Sequence, residues 1–138
     1  MKRVCCLLLV LVLMILCASC DFAPQESKFY WIPEESFFVD YEITENKTVR
    51  FRYSIALVND YDASVTASVS AKFKENETSG WLKETDFLMG RNEEGTWYYV
   101  PFEAGEKKNV IFVFEGSYAG GQVNENLSFP ELLYMLDW

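Results

Sequence analysis

Between Val49 and Leu57 every odd position is apolar (Val49, Phe51, Tyr53, Ile55, Leu57), while Arg50, Arg52 and Ser54 stand between them. Successive side chains of a strand point to opposite faces, so a period of two predicts a strand with one buried side. The pattern recurs. Phe37, Val39, Tyr41 and Ile43 share a face against Asp40 and Glu42, and Val65, Ala67, Val69, Ala71 and Phe73 alternate with Thr66, Ser68, Ser70 and Lys72. Val110, Phe112 and Phe114 repeat it between Asn109 and Glu115. Glu45-Asn46-Lys47 and Asn59-Asp60-Tyr61-Asp62 separate these runs with residues whose side chains satisfy local backbone groups in turns. After a charged loop at Lys74–Gly80 a weaker strand is expected over Trp81–Met89, and after a turn at Gly90–Gly95 a strand over Thr96–Phe102 that is apolar on both faces and therefore central in its sheet. A last strand is expected over Leu127–Trp138, beyond a Gly-rich loop at Gly116–Asn126. Pro130 has no amide to donate and marks that strand as an edge or a bulge. No segment carries a helical period. Seven or eight short strands with regular turns predict an all-β antiparallel sandwich over residues 29–138.

A different pattern precedes this domain. Lys2 and Arg3 are followed by an unbroken apolar run of thirteen residues, Val4–Leu16, and then by the small-residue stretch Cys17-Ala18-Ser19. That is the layout of a secretory signal, over residues 1–19, with a helical apolar segment. Crossing about 30 Å of hydrocarbon takes roughly 20 apolar residues, so the run is short for a span. All four cysteines (5, 6, 17 and 20) fall in the first twenty residues. The domain therefore has no internal disulfide and must be held by its apolar core. Leu16-Cys17-Ala18-Ser19-Cys20 resembles the lipobox of bacterial lipoproteins, with Cys17 where Leu is usual. The resemblance implies cleavage before Cys20, a diacylglycerol on its thiol and acylation of the new amino terminus. Two or more chains make membrane attachment stable where one does not. Residues 20–28 then read as the tether, and the chain as anchored to a bacterial membrane on its extracytoplasmic side. Asn46, Asn76 and Asn126 head formal glycosylation sequons, the mark of the competing eukaryotic secreted reading.

Charge and composition exclude more than they assign. With Lys2 and Arg3 removed, ten basic residues face 21 acidic ones, a net charge near −11. Like charge opposes approach to nucleic acid and to anionic headgroups, so no nucleic-acid partner is expected. The chain contains no His, which removes Ser-His-Asp and Cys-His activation and most zinc sites. No phosphate-cradling Gly loop is present. Carboxylate pairs such as Glu34-Glu35, Glu93-Glu94 and Asp60/Asp62 lie in expected loops and read as solvated charge. Asn59, Asp60 and Asp62 alternate oxygen ligands in one loop, but without the full spacing of a calcium loop they read as a capped turn. The expectation is no catalytic activity, no metal and no cofactor.

Val100-Pro101-Phe102-Glu103-Ala104-Gly105-Glu106, leading into the alternating run to Phe114, resembles a feature of bacterial immunoglobulin-like modules, as does the long strand ending at Asn59. The resemblance implies an immunoglobulin-like sandwich, a fold that hosts many functions. Candidate contact residues are aromatic. Trp31 follows the tether, and Trp97, Tyr98 and Tyr99 are consecutive, so a strand must turn some of them away from the core; such rings stack on sugars or anchor protein interfaces. The expected function is a non-catalytic, lipid-anchored envelope module that binds protein or glycan. The alternative is an accessory subunit or inhibitor of an envelope enzyme or transport complex, which would present a protruding loop such as Gly116–Asn126.

Overall fold

A computed structural model describes residues 27–83 and 86–138. The expected signal segment, Cys20 and most of the tether lie outside these residues. The described chain forms two antiparallel four-stranded sheets packed face to face, the expected all-β sandwich. Its elements are β1 (Phe29–Trp31), a 3-10 turn (Pro33–Glu35), β2 (Phe37–Ile43), β3 (Thr48–Asn59) and β4 (Val65–Lys72). They continue with α1 (Glu75–Thr78), β5 (Leu88–Met89), β6 (Val100–Phe102), β7 (Lys107–Ser117) and β8 (Glu131–Asp137).

The first sheet is built on β3. On one side β7 pairs with it from Thr48↔Ser117 to Val58↔Lys107. On the other side β1 and β2 lie end to end, at Phe29↔Asn59 to Trp31↔Leu57 and at Phe37↔Ser54 to Ile43↔Val49. The 3-10 turn interrupts what is otherwise one strand. Across the gap Ile32 donates its amide to the Ala56 carbonyl (2.9 Å) and the Ser36 hydroxyl accepts from the Ala56 amide (2.9 Å), so the β3 backbone stays satisfied.

The second sheet is built on β4. It pairs with β8 along Thr66↔Asp137 to Lys72↔Glu131, and on its other side with β6 and the two-residue β5. Between the sheets lie the residues the alternation marked. Val49, Phe51, Tyr53, Ile55 and Leu57 face Val65, Ala67, Val69 and Ala71, with Val110, Phe112 and Phe114 alongside, all buried. Rings interlock in this core, Phe29 edge-on to Phe102 at 5.2 Å and Phe51 near Phe73 at 4.8 Å.

Four expectations change. Phe37 and Val39 were expected inside with Tyr41 and Ile43. A bulge between Phe38 and Asp40 shifts the phase, so Phe38 packs at 5.2 Å on Tyr53 while Phe37 is 57 % exposed. One extra residue in a strand reverses every side chain before it. Second, the charged loop contains a helical turn, α1, and among the described residues of Trp81–Met89 the strand is Leu88–Met89. The turn is held because the Trp81 ring donates its Nε1 hydrogen to the Glu77 carbonyl at 3.0 Å, which seats the buried indole under α1. Third, the strand expected over Thr96–Phe102 is confined to Val100–Phe102 and, among the described residues, pairs only with β4, at the edge of its sheet rather than its centre; a tight turn at Asn92–Thr96 (Asn92 amide to Thr96 carbonyl, 2.8 Å) precedes it. Last, the final strand starts at Glu131, directly after Pro130, and among the described residues it is an edge.

Candidate functional site

The four candidate aromatic residues do not form one surface. Trp31 points inward from β1 and stacks on Phe129 with ring centroids 4.5 Å apart and planes 9° from parallel. The consecutive three, which lead into β6, are separated too. Tyr98 turns in against Phe112 (5.5 Å), while Trp97 and Tyr99 stand out at 57 % and 56 % exposure. Trp97 extends a row that crosses the outer face of the first sheet. Asp40 pairs with Arg52, Arg52 with Val113, Val113 with Arg91, and Arg91 with Trp97. Trp138 is exposed beside Tyr61, and Trp81 is fully buried. Among the described residues no ring contact joins Trp31, Trp97, Tyr98 and Tyr99 to one another. Cys20, the expected lipid-bearing residue, lies outside the described residues.

The same outer face carries an ion-pair network that alternation alone foreshadows, since Arg50 and Arg52 are the outward residues of β3. Arg50 donates through Nε to Glu115 (3.1 Å) and through Nη2 to the Glu93 carbonyl (2.9 Å), with Glu42 at 3.8 Å. Arg52 grips both carboxylate oxygens of Asp40 and has Glu93 at 3.7 Å. Arg91 donates to the Gly95 carbonyl (2.8 Å) and lies 3.7 Å from Glu115. The bidentate hydrogen bond from Arg52 holds the Asp40 carboxyl below its ordinary value, and Asp40 in turn raises Arg52. Three guanidinium groups thus engage four carboxylates on this face, and Asp40, Glu42, Arg50, Arg52 and Glu93 line a cleft there. Each of these carboxylates has a cation partner.

Two other expected features resolve into structure-building roles. Asn59 is fully buried: its Nδ2 donates to the Ala63 and Glu103 carbonyls (both 2.9 Å) and its Oδ1 accepts from the Tyr61 amide (3.2 Å). It is the cap of the β3–β4 turn. Among the described residues no three of His, Cys, Asp and Glu cluster as metal ligands would. The Gly-rich loop after β7 is tied down at its start and just beyond its end. The Tyr118 amide donates to the Lys47 carbonyl (2.8 Å), the Ala119 amide to the Trp81 carbonyl (2.8 Å), and the Ser128 hydroxyl to Glu77 Oε1 (2.6 Å).

The side of β8 away from β4 is a feature that sequence reasoning reached only through Pro130. Its inward residues Leu132, Tyr134 and Leu136 pack on the core but are only partly buried, whereas Leu133 and Met135 on the outer side are 48 % and 66 % exposed. No family model, curated protein or solved structure matches this chain.

Proposed function

We propose that this protein is a lipid-anchored lipoprotein of a bacterial envelope whose immunoglobulin-like sandwich is a non-catalytic module for binding another protein. The observation that carries the anchor is the sequence Leu16-Cys17-Ala18-Ser19-Cys20 directly after a thirteen-residue apolar run. It is supported by the distribution of cysteines: positions 27–138 contain none, so Cys20 has no partner to cross-link in the domain. The immunoglobulin-like reading is supported by the two antiparallel sheets packed face to face, with the long β3 central in one, between β7 and the β1–β2 edge, and β4 central in the other, between β8 and β5–β6.

Protein is favoured over glycan by the placement of the rings. A sugar platform needs neighbouring coplanar faces, whereas Trp31 is stacked on Phe129 and Tyr98 on the core, leaving Trp97 and Tyr99 as separate exposed rings. Exposed rings set among arginines suit a protein interface. The hydrogen bonds that tie down the chain after β7 at Tyr118, Ala119 and Ser128 favour this reading over an inhibitor.

Mass spectrometry of the mature amino terminus tests the anchor. A diacylglyceryl cysteine at position 20, lost in Cys20→Ser, is the expected result, and an intact signal or a free thiol there refutes it. Affinity capture from native envelope, with Trp97→Ala as control, tests the binding module.

A further inference from the structure

Edge strands of natural proteins are guarded against strand addition by bulges, prolines, charges or short length. Three of the four edges described here are guarded. The β1–β2 edge is broken by the 3-10 turn and the bulge, and carries Asp40 and Glu42. On the far side of β4, β5 is two residues long and β6 is three residues with Pro101 at its centre. On the outer edge of β7, Arg91 exchanges both backbone hydrogen bonds with Val113 (2.8 and 2.9 Å), Lys83 donates to the Ser117 carbonyl (2.9 Å), and the open start of the strand carries Lys107 and Lys108. By contrast β8 runs seven residues in unbroken register with β4, free of proline, and is apolar from Leu132 to Leu136. Alternate residues of an antiparallel edge strand present both N–H and C=O outward, a ready template.

The side chains around that edge are unfinished too. Every inward residue of the neighbouring β4 is fully covered (Val65, Ala67, Val69, Ala71), but Leu132, Tyr134 and Leu136 are not. Across the sandwich from β8 stands β1, with Phe29 5.3 Å from the Tyr134 ring. A strand laid beside β8 would cover both Leu133 and Met135 outside and the half-open apolar seam inside.

Charge selects the occupant. Glu131 and Asp137 stand at the two ends on the same outer side, about 20 Å apart at the rise of a strand. Neither makes an ion pair among the described residues, and Lys72, the cross-strand neighbour of Glu131, lies instead over the Phe87 ring. A second copy, paired antiparallel about Tyr134, would set Glu131 against Asp137 at both ends. The segment at positions 20–26 brings Asp21, Glu26 and a Pro24 that donates no hydrogen bond.

We propose that β8 is a strand-addition site for an extended segment of a partner protein, about seven residues long, apolar within and with a Lys or Arg at each end. This rests on the binding-module reading and not on the anchor, whose acyl-cysteine test is independent of it.

The test uses the full chain, extracted in detergent from a bacterial host, and a fluorescent heptapeptide Lys-Val-Thr-Val-Thr-Val-Lys. Expected are binding, slowed amide exchange across 131–137, and at least tenfold weaker binding of the same peptide with a central Pro or with Glu ends. The double variant Glu131→Lys, Asp137→Lys should reverse the preference toward the Glu-ended peptide, a result that misfolding cannot imitate. Failure of all three peptides to bind overturns the proposal, as does equal binding of the Pro peptide. So does a chain whose 131–137 amides are already slow, whether through dimers or through residues 21–26, as shown by their becoming fast on dilution or on deletion of that segment.

Discussion

The Gly90 amide donates to the Val69 carbonyl at 2.7 Å, while the next residue, Arg91, pairs with Val113 in the opposite sheet. The chain crosses the sandwich within one residue, and the crossing leaves no room for a side chain. A Cβ at Gly90 would stand 2.7 Å from both Phe112 Cδ1 and the Val69 oxygen. The Val69 carbonyl cannot yield without disturbing the β4 ladder, and the Phe112 ring is fully buried in the core. Gly90→Ala is therefore expected to destabilise by about 2–3 kcal/mol, the scale of overpacking in a closed core. Urea unfolding followed by tryptophan emission measures it, and a shift below about 0.5 kcal/mol, the range of an indifferent surface site, refutes the reading.

Asn59 ties three chain segments together. Its side chain bonds the β4 entry at Ala63, the β6–β7 turn at Glu103 and the Tyr61 amide. Asn59→Ala removes three hydrogen bonds from a fully buried position, each worth about 0.5–1.5 kcal/mol net. Asn59→Asp should fare little better, because it supplies no donor to either carbonyl. Loss of stability of at least about 2 kcal/mol in both variants is expected from denaturant midpoints. A native-like Asp variant would show that the donor contacts matter little.

How far the sequence was legible follows from the range of the interactions. The odd residues of β3 are inside because period two is a local property, and β4 and β7 were readable for the same reason. Phe37 misled because the bulge at Val39 is set by pairing with β3, which alternation within β2 does not reveal. Trp81 misled likewise: its burial depends on Glu77 four residues earlier and on Phe51 thirty residues earlier. At the candidate site, the outward turn of Trp97 and Tyr99 is a parity argument and could be read. The stacking of Trp31 on Phe129 joins chain ends and could not. Pro130 did flag an edge, but the emptiness of the β8 seam became visible only once β1 stood across from it.

Tyr53 carries its hydroxyl into the core without a hydrogen-bond partner among the described residues, although the residue is 1 % exposed. An unpaired buried hydroxyl costs free energy that an apolar replacement does not. Tyr53→Phe is thus expected to be neutral or up to about 1 kcal/mol more stable, in contrast to the loss usual for a buried substitution. Thermal unfolding by circular dichroism distinguishes the two, and a fall in Tm of several degrees would reveal a partner for the hydroxyl.

At the acid end, Asp40 is the group to watch. Its folded carboxyl lies below the ordinary value through the hydrogen bond from Arg52, so the stability it adds is present above about pH 4 and lost as pH falls. Both partners are nearly half exposed, at 43 % and 45 %, so the contribution is small and screened by salt. Asp40→Asn should flatten the acid limb of the stability curve at low ionic strength and change little in high salt. An acid limb identical to that of the parent chain in low salt would remove Asp40 as a contributor.

The alkaline limit rests on two phenols and runs the other way. Burial pushes Tyr134 up to about 12, against a small opposing effect of the Trp31 backbone. Tyr53 is raised further, by burial and then by the nearby Glu77 carboxylate. An unfolded phenol ionises near pH 10, so below that value both states are neutral and the pair has no effect on the equilibrium. Above it the unfolded chain releases protons that the folded chain retains, and stability falls with each further step in pH. Urea midpoints should accordingly hold steady from neutral to about pH 10 and then decline, with phenolate absorbance from these two rings appearing only as the sandwich opens. Replacing both by Phe should flatten the decline. Phenolate signal from all eight tyrosines of the folded protein near pH 10 would mean that Tyr53 and Tyr134 are reached by solvent, and the seam between β1 and β8 would then be open further than their burial indicates.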